Sequence, residues 1–218
     1  MDEKLKNDID KVYSIVNELF KNENTGHNIS HLKRVLNNAI AIQKKEGGDI
    51  YIIAISALVH DIHRLMSNKT GKYVTPKDSL VDVKKILTSC NIDKDKIPDI
   101  LSAVETHEQK EVRNIPLEWK ILQDADALDA LGKIGLNRTL QFCKTNNIPI
   151  SNTSFDLDCK EYIPNINPIS TCHYIYRTMI PQGEHMHTKT GQKMASKRIK
   201  ILKKYLPRAN LFVILAKY

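Results

Sequence analysis

Cysteine is sparse and scattered in this chain. Cys90, Cys143, Cys159 and Cys172 form no C-x-x-C pair, which argues against a zinc ribbon or a disulfide framework and leaves four reduced thiols. No uncharged apolar run approaches the ~20 residues that a membrane span requires. The opening Met1-Asp2-Glu3-Lys4 leads into a charged helix rather than the apolar core of a signal peptide. A cytoplasmic location without a membrane partner is the resulting expectation. Aromatic residues, 6% of the chain, are not interleaved with basic ones, so the stacking surface of a single-strand nucleic-acid binder is missing. Strand-like alternation is rare, and no internal repeat is visible.

What remains is ordinary globular material. With 218 residues, 41% hydrophobic and 27% charged, the chain can bury a core as one domain, or as one domain with an appended subdomain. A net charge of +8 suits an anionic partner such as a nucleotide or another phosphate ester. The cluster Lys193, Lys197, Arg198, Lys200, Lys203 and Lys204 reads more simply as a solvated helix face than as a nucleic-acid footprint. Nothing in the sequence specifies an oligomeric state, and a homo-oligomer is compatible with it.

Apolar residues recur every three or four positions, which predicts an all-α fold. Leu5, Ile9, Val12, Val16 and Leu19 share one face of a helix over 4–20. A second helix is expected over 30–45 and a third over 50–65. The third is apolar nearly all round and should be central. Further helices are expected over 77–90, 94–107 and 117–144, the last open to a break near Gly132 or Gly135. Residues 146–168, rich in Asn, Pro and Asp, read as an irregular loop insertion. Helices then resume over 169–179 and 191–205, and Pro207 should end the last one. One helical domain over 1–218 follows, with helices 169–218 packing on a core of about 25–145.

Chemistry enters where the third helix ends in His60-Asp61. Adjacent residues on a helix point about 100° apart, yet both can reach one ion seated just off the surface. Imidazole with carboxylate suits a borderline divalent metal; a solvated pair at a helix end is the plainer alternative. His31 opens the second helix. The run Gln123-Asp124-Ala125-Asp126-Ala127-Leu128-Asp129 places three carboxylates in an apolar helix, where burial is costly unless they are paired or metal-bound. Asp124 and Asp129 could instead cap the helix or face solvent.

In this order, His31, His60-Asp61 and a late Asp, the chain resembles the HD-domain metal-dependent phosphohydrolases. The wording around these residues strengthens the likeness: His31-Leu32-Lys33-Arg34-Val35, Ala57-Leu58-Val59-His60-Asp61-Ile62, and the run from Gln123 to Arg138. It resembles the small bacterial subgroup that includes nucleotide pyrophosphohydrolases. The similarity continues through His173–Arg177, Met186–Gly191, Ala195 and Arg198. What the resemblance implies is a helical bundle holding a divalent transition metal through His31, His60, Asp61 and Asp126. Asp126 is preferred to Asp124 because it stands in an Ala-Asp-x-Leu setting. Mn²⁺ or Fe²⁺ is the implied ion, with Co²⁺, Ni²⁺ or Zn²⁺ as alternatives. The implied reaction is hydrolysis of a small phosphorylated substrate, a nucleotide or similar ester, by metal-activated water. Lys33, Arg34, Arg64, Arg138, Arg177 and Arg198 are candidates to clamp its phosphate; Arg34 and Arg138 could equally bridge to carboxylates within the fold. His107 lies where such folds often carry another active-site histidine.

The chain also departs from the pattern. Relatives often have an acidic residue three or four positions after the His-Asp pair, where this chain has His63 and Arg64. His63 has a side chain suited to proton transfer near neutral pH. The basic residue common at position 127 is replaced by Ala127. Two other readings therefore stand beside the hydrolase: a di-iron oxygenase of the HD type, using His107 and at most Asp82 as extra ligands, or a catalytically silent nucleotide-binding module.

Overall fold

The computed structural model describes residues 2–23, 26–109, 114–151 and 170–215, without the side chains of 207–215. Most of the irregular insertion expected at 146–168, including Cys159, lies outside the described residues. Helices are the only regular structure among those described, as the periodicity predicts. The chain divides into two compact units, Met1–Asp126 and Ala127–Tyr218.

The first unit is built around α3, Ile50–Val59, in which every residue from Ile52 to Val59 is buried. A helix apolar on all faces has no solvent face to offer, so it must be enclosed. Helices α1 (Glu3–Leu19), α2 (Ile29–Glu46) and α6 (Ile97–Thr106) enclose it. Leu5, Val12, Val16, Leu32, Ile55, Leu58, Val83, Leu87, Ile100 and Val104 share its core. By length and composition Ile50–Thr70 would also pass as a membrane span, but 67% of its apolar window is buried within the protein. It is a core element.

The third helix is shorter than the expected 50–65. It stops at Val59, and α4 (Ile62–Thr70) starts after a break at His60-Asp61. Asp61 has φ −95° and ψ 13°, off the α-helical basin. The break costs little hydrogen bonding, because the Arg64 amide donates to the Asp61 carbonyl at 2.9 Å. A 3₁₀ turn, Pro76–Ser79, then leads into α5, Leu80–Ser89. Next comes α6, and α7 (Leu117–Asp129) spans the junction between Asp126 and Ala127.

The second unit holds the end of α7 and α8 (Gly132–Thr145), α9 (Thr171–Tyr174), a π-helical turn (Ile175–Met179), α10 (Ile180–Glu184) and α11 (Lys189–Leu215). The helix expected over 117–144 is two helices. Gly132 has φ +74° at the break, a conformation open mainly to glycine. At Gly135 a Cβ would lie 2.0 Å from the Ala130 carbonyl oxygen, so only glycine permits this close return of the chain. Pro207 does not end the last helix, which runs on to Leu215. Proline removes one amide donor from the ladder, and the remaining residues of this long helix carry it across.

Candidate metal centre

Four elements of the first unit deliver the site. Asn28 caps α2, its side chain accepting from the Ser30 and His31 amides at 3.1 and 3.2 Å, which fixes His31 in the first turn. His60 and Asp61 fill the break between α3 and α4. Asp126 comes from α7, which the Asn38 side chain ties to α2 through the Ala125 carbonyl at 3.1 Å. His107 and Glu108 follow the end of α6. The Gln123 amide holds that end by donating to the Thr106 and Gln109 carbonyls at 2.8 and 3.3 Å.

The structure thus brings His31, His60, Asp61 and Asp126 to one point. His31 Nε2 and His60 Nε2 are 3.3 Å apart. His31 Nε2 lies 3.2 Å from Asp61 Oδ2 and 3.4 Å from Asp126 Oδ1; the corresponding His60 distances are 3.4 and 3.8 Å. Donors bound to one ion at about 2.0–2.2 Å stand about 3–4 Å from each other. His60 Nδ1 donates to the Ala57 carbonyl at 3.1 Å, which turns Nε2 to the cluster. Asp124, also buried, belongs to no such donor group among the described residues. Neither Asp124 nor Asp129 sits in solvent.

The electrostatics match the geometry. Burial opposes ionisation of Asp61, but the His60 and His27 rings outweigh it and hold the carboxyl well below its ordinary value. Asp126 is lowered in the same way, with His60 and His31 outweighing burial. Two ionised carboxylates and two imidazole lone pairs in a buried space form a donor set that fits a divalent first-row ion.

A ring of further side chains surrounds this set. His27 Nδ1 donates to Asp61 Oδ2 at 2.8 Å. On the other side Asp61 Oδ1 lies 3.6 Å from Arg64 Nε and 4.0 Å from His107 Nε2. Arg64 also bonds Glu108, which accepts from the Tyr73 hydroxyl. His63 is fully buried, with Nε2 3.4 Å from Glu108 Oε1. Burial opposes ionisation of Glu108, but His63 and Arg64 outweigh it and hold its carboxyl at about 2. His107 is pushed down to about 4, first by burial and then by His60, so its ring is neutral.

The remaining candidates from the sequence are placed elsewhere. Lys33 is exposed, with its ammonium 4.6 Å from the centroid of the Tyr13 ring. Arg34 is half-buried on α2, and Asp82 is half-buried in a pair with Lys85 at 3.0 Å. In the second unit, Arg138 pairs with Asp129 at 2.7 Å and Arg198 donates to the Leu128 carbonyl at 2.6 Å. Arg177 is half-buried on the π-helical turn. Sequence reasoning did not single out His27, Glu108 or Tyr73. His27 had a faint signal, lying one helical turn before His31, whereas Glu108 and Tyr73 had none.

Comparison with known proteins finds chains of similar fold. The Bacillus subtilis protein YpgQ is 29% identical over 138 residues, a match spanning 61% of this chain and 65% of YpgQ. The crystal structure of YpgQ in complex with ADP has a TM-score of 0.70 at 22% identity, covering 94% of each chain. An HD-superfamily hydrolase from Bacillus thuringiensis gives 0.71 at 23% identity, over 94% of this chain and 95% of that one. The Lin1889 protein from Listeria innocua gives 0.70 at 26% identity and covers 96% of both. Residues 28–131, which carry all four of the converging side chains, match the HD domain family. Over that segment, the chain is similar to the HD domain family.

Proposed function

We propose that this chain is a divalent-metal-dependent phosphohydrolase or pyrophosphohydrolase acting on a nucleotide or a similar small phosphate ester. The observation that carries the reading is the convergence of His31, His60, Asp61 and Asp126 within 3.2–3.8 Å of one another along the measured nitrogen–oxygen pairs. These four residues would hold the ion. When bound, it would lower the pKa of a coordinated water and polarise a phosphoryl oxygen. The Bacillus subtilis relative crystallised with ADP supports a nucleotide as the phosphate carrier.

The chain's own residues divide the remaining work. Asp61 and Asp126 keep the centre anionic, and the His60 and His27 hydrogen bonds fix the imidazole and carboxylate orientations. Asp126, Arg64, Glu108 and His27 are the partly exposed members, with 25–31% of each side chain accessible. Substrate would therefore meet the centre on their side. Arg64 is a cation within reach of the site, and its guanidinium would stabilise charge building on the phosphoryl group. The acidic residue absent after His60-Asp61 has a spatial substitute in Glu108, which stands beside His63 and Arg64 from the end of α6. His63 and Glu108 together form a proton-handling pair behind the centre.

The test is a panel of nucleoside mono-, di- and triphosphates offered to the purified protein with Mn²⁺. Release of phosphate or pyrophosphate is expected from a member of the panel, and His60→Ala with Asp61→Ala should abolish it. Turnover that survives in the double variant would overturn the assignment. Tight nucleotide binding without turnover across several metals would select the binding-module alternative.

A further inference from the structure

Beside the proposed centre lies a second set of donors that the four ligands leave unused. His63 Nε2, His107 Nε2 and a Glu108 carboxylate oxygen lie within 4.8 Å of one another. Asp61 Oδ1 faces the same set, 4.0 Å from His107 Nε2, while Asp61 Oδ2 serves the first. Both imidazoles spend Nδ1–H on backbone carbonyls, His63 on His60 at 3.2 Å and His107 on Val104 at 2.6 Å. A carbonyl can only accept, so Nδ1 is the donor in each ring and Nε2 is the atom left for the cluster. His63 Nε2 is buried and has no hydrogen-bond partner among the described residues; its 3.4 Å approach to Glu108 is not a hydrogen bond in geometry.

The cation present there is Arg64. Its Nε is 3.6 Å from Asp61 Oδ1, and its terminal nitrogen bonds Glu108 Oε1. Arg64 thus links the shared carboxylate of the first set to the carboxylate of the second. It supplies one positive charge where a metal ion would bring two, and its contacts are with the oxygens rather than with the imidazole nitrogens. Asp82, the sequence's one candidate for an extra ligand in this region, is half-buried on α5 with Lys85 and takes no part.

We infer that His63, His107, Glu108 and Asp61 form a latent second metal site that Arg64 keeps closed to a metal ion, so that the protein binds one ion rather than two. The inference rests on the single-ion centre proposed above. Removing the guanidinium charge frees two carboxylate oxygens and leaves both imidazole nitrogens available to a first-row divalent ion. A metal at that point would share Asp61 with the first ion.

Mn²⁺ binding to the full chain tests this directly. Wild type should take one equivalent, and Arg64→Gln two, with the electron paramagnetic resonance signal changing from isolated to exchange-coupled Mn²⁺. Arg64→Lys, which keeps the charge, should stay at one, and adding His63→Ala to Arg64→Gln should return it to one. The second equivalent should also raise the thermal midpoint of Arg64→Gln and leave that of the Arg64→Gln, His63→Ala double variant unmoved, as linkage requires for an ion bound only by the folded state. Two equivalents in wild type, or one in a folded Arg64→Gln, would overturn the inference while leaving the first centre standing. No bound Mn²⁺ in either protein would overturn the first centre and this inference with it.

Discussion

Asp126 and Asp129 lie one turn apart on α7, yet their charges are handled in different ways. Asp129 is 2% exposed and has an arginine of its own, Arg138, at 2.7 Å. Asp126 has 27% of its side chain accessible and faces two imidazoles, His31 and His60, that bring lone pairs as readily as protons. A carboxylate paired with an internal guanidinium is electrostatically complete and belongs to the structure. One aimed at histidine nitrogens and a second carboxylate is complete only with a cation from outside. The difference separates a structural acid from a proposed metal ligand, and neither burial nor residue type alone would do so.

Breaking each member of that comparison should have opposite consequences. Asp126→Asn should reduce Mn²⁺ affinity by more than the about 10–100-fold typical of a supporting residue, with little loss in the thermal midpoint of the metal-free protein. Equilibrium dialysis with calorimetry of the same samples reads both. Arg138→Ala should do the reverse. It leaves Asp129 buried without its partner, which costs about 2–3 kcal/mol once the partial exposure of Arg138 is allowed for, and Mn²⁺ stoichiometry should stay unchanged. If Arg138→Ala lost the metal and Asp126→Asn kept it, the roles of the two acids would be the wrong way round.

A smaller effect sharpens the boundary of the centre. His27 touches Asp61 at 2.8 Å but stands outside the proposed ligand set, so His27→Gln should weaken Mn²⁺ binding by about 10-fold rather than remove it. A complete loss in a folded variant would promote His27 to a ligand.

The smallest effect lies away from the chemistry, at the start of α3. Asp49 caps that helix by accepting from the Tyr51 and Ile52 amides, and it pairs with Lys96. Asp49→Ala should cost about 1 kcal/mol without altering metal content. Burial opposes ionisation of the Asp49 carboxyl, but Lys96 and the two amides outweigh it and lower the folded value. Its contribution is therefore fully present above the unfolded carboxylate value of about 3.9 and is lost as pH falls through the lower, folded one. Denaturant midpoints of wild type and Asp49→Ala should differ at pH 7 and converge in strong acid.

Much of the fold was legible in the sequence. Apolar spacing predicts α1, α2, α5 and α6 within a few residues, because a helix that buries one face must repeat every three to four positions. The all-round apolar α3 was recognisable as central for the same reason. Its end was not, since Ile62 and Leu65 continue the apolar spacing past Asp61, and only the pull of His60 and Asp61 into the cluster explains the break. Pro207 misled in the opposite sense: a local rule about one missing donor was outweighed by the length of α11. In the candidate site, the order His31, His60-Asp61, Asp126 stood out because carboxylates in apolar helices need a reason. Glu108 carried no such flag, being a charged residue at a polar helix end, where charge is ordinary.

By itself, then, the sequence determined an all-α chain, a resemblance to the HD-domain proteins, and the histidines and acids that carry that resemblance, because periodicity and residue chemistry are written locally. Only the tertiary structure decided which side chains surround those acids. That depends on residues far apart in the chain, Arg64 on Glu108 and His27 on Asp61, and local sequence holds no record of which distant side chains will meet.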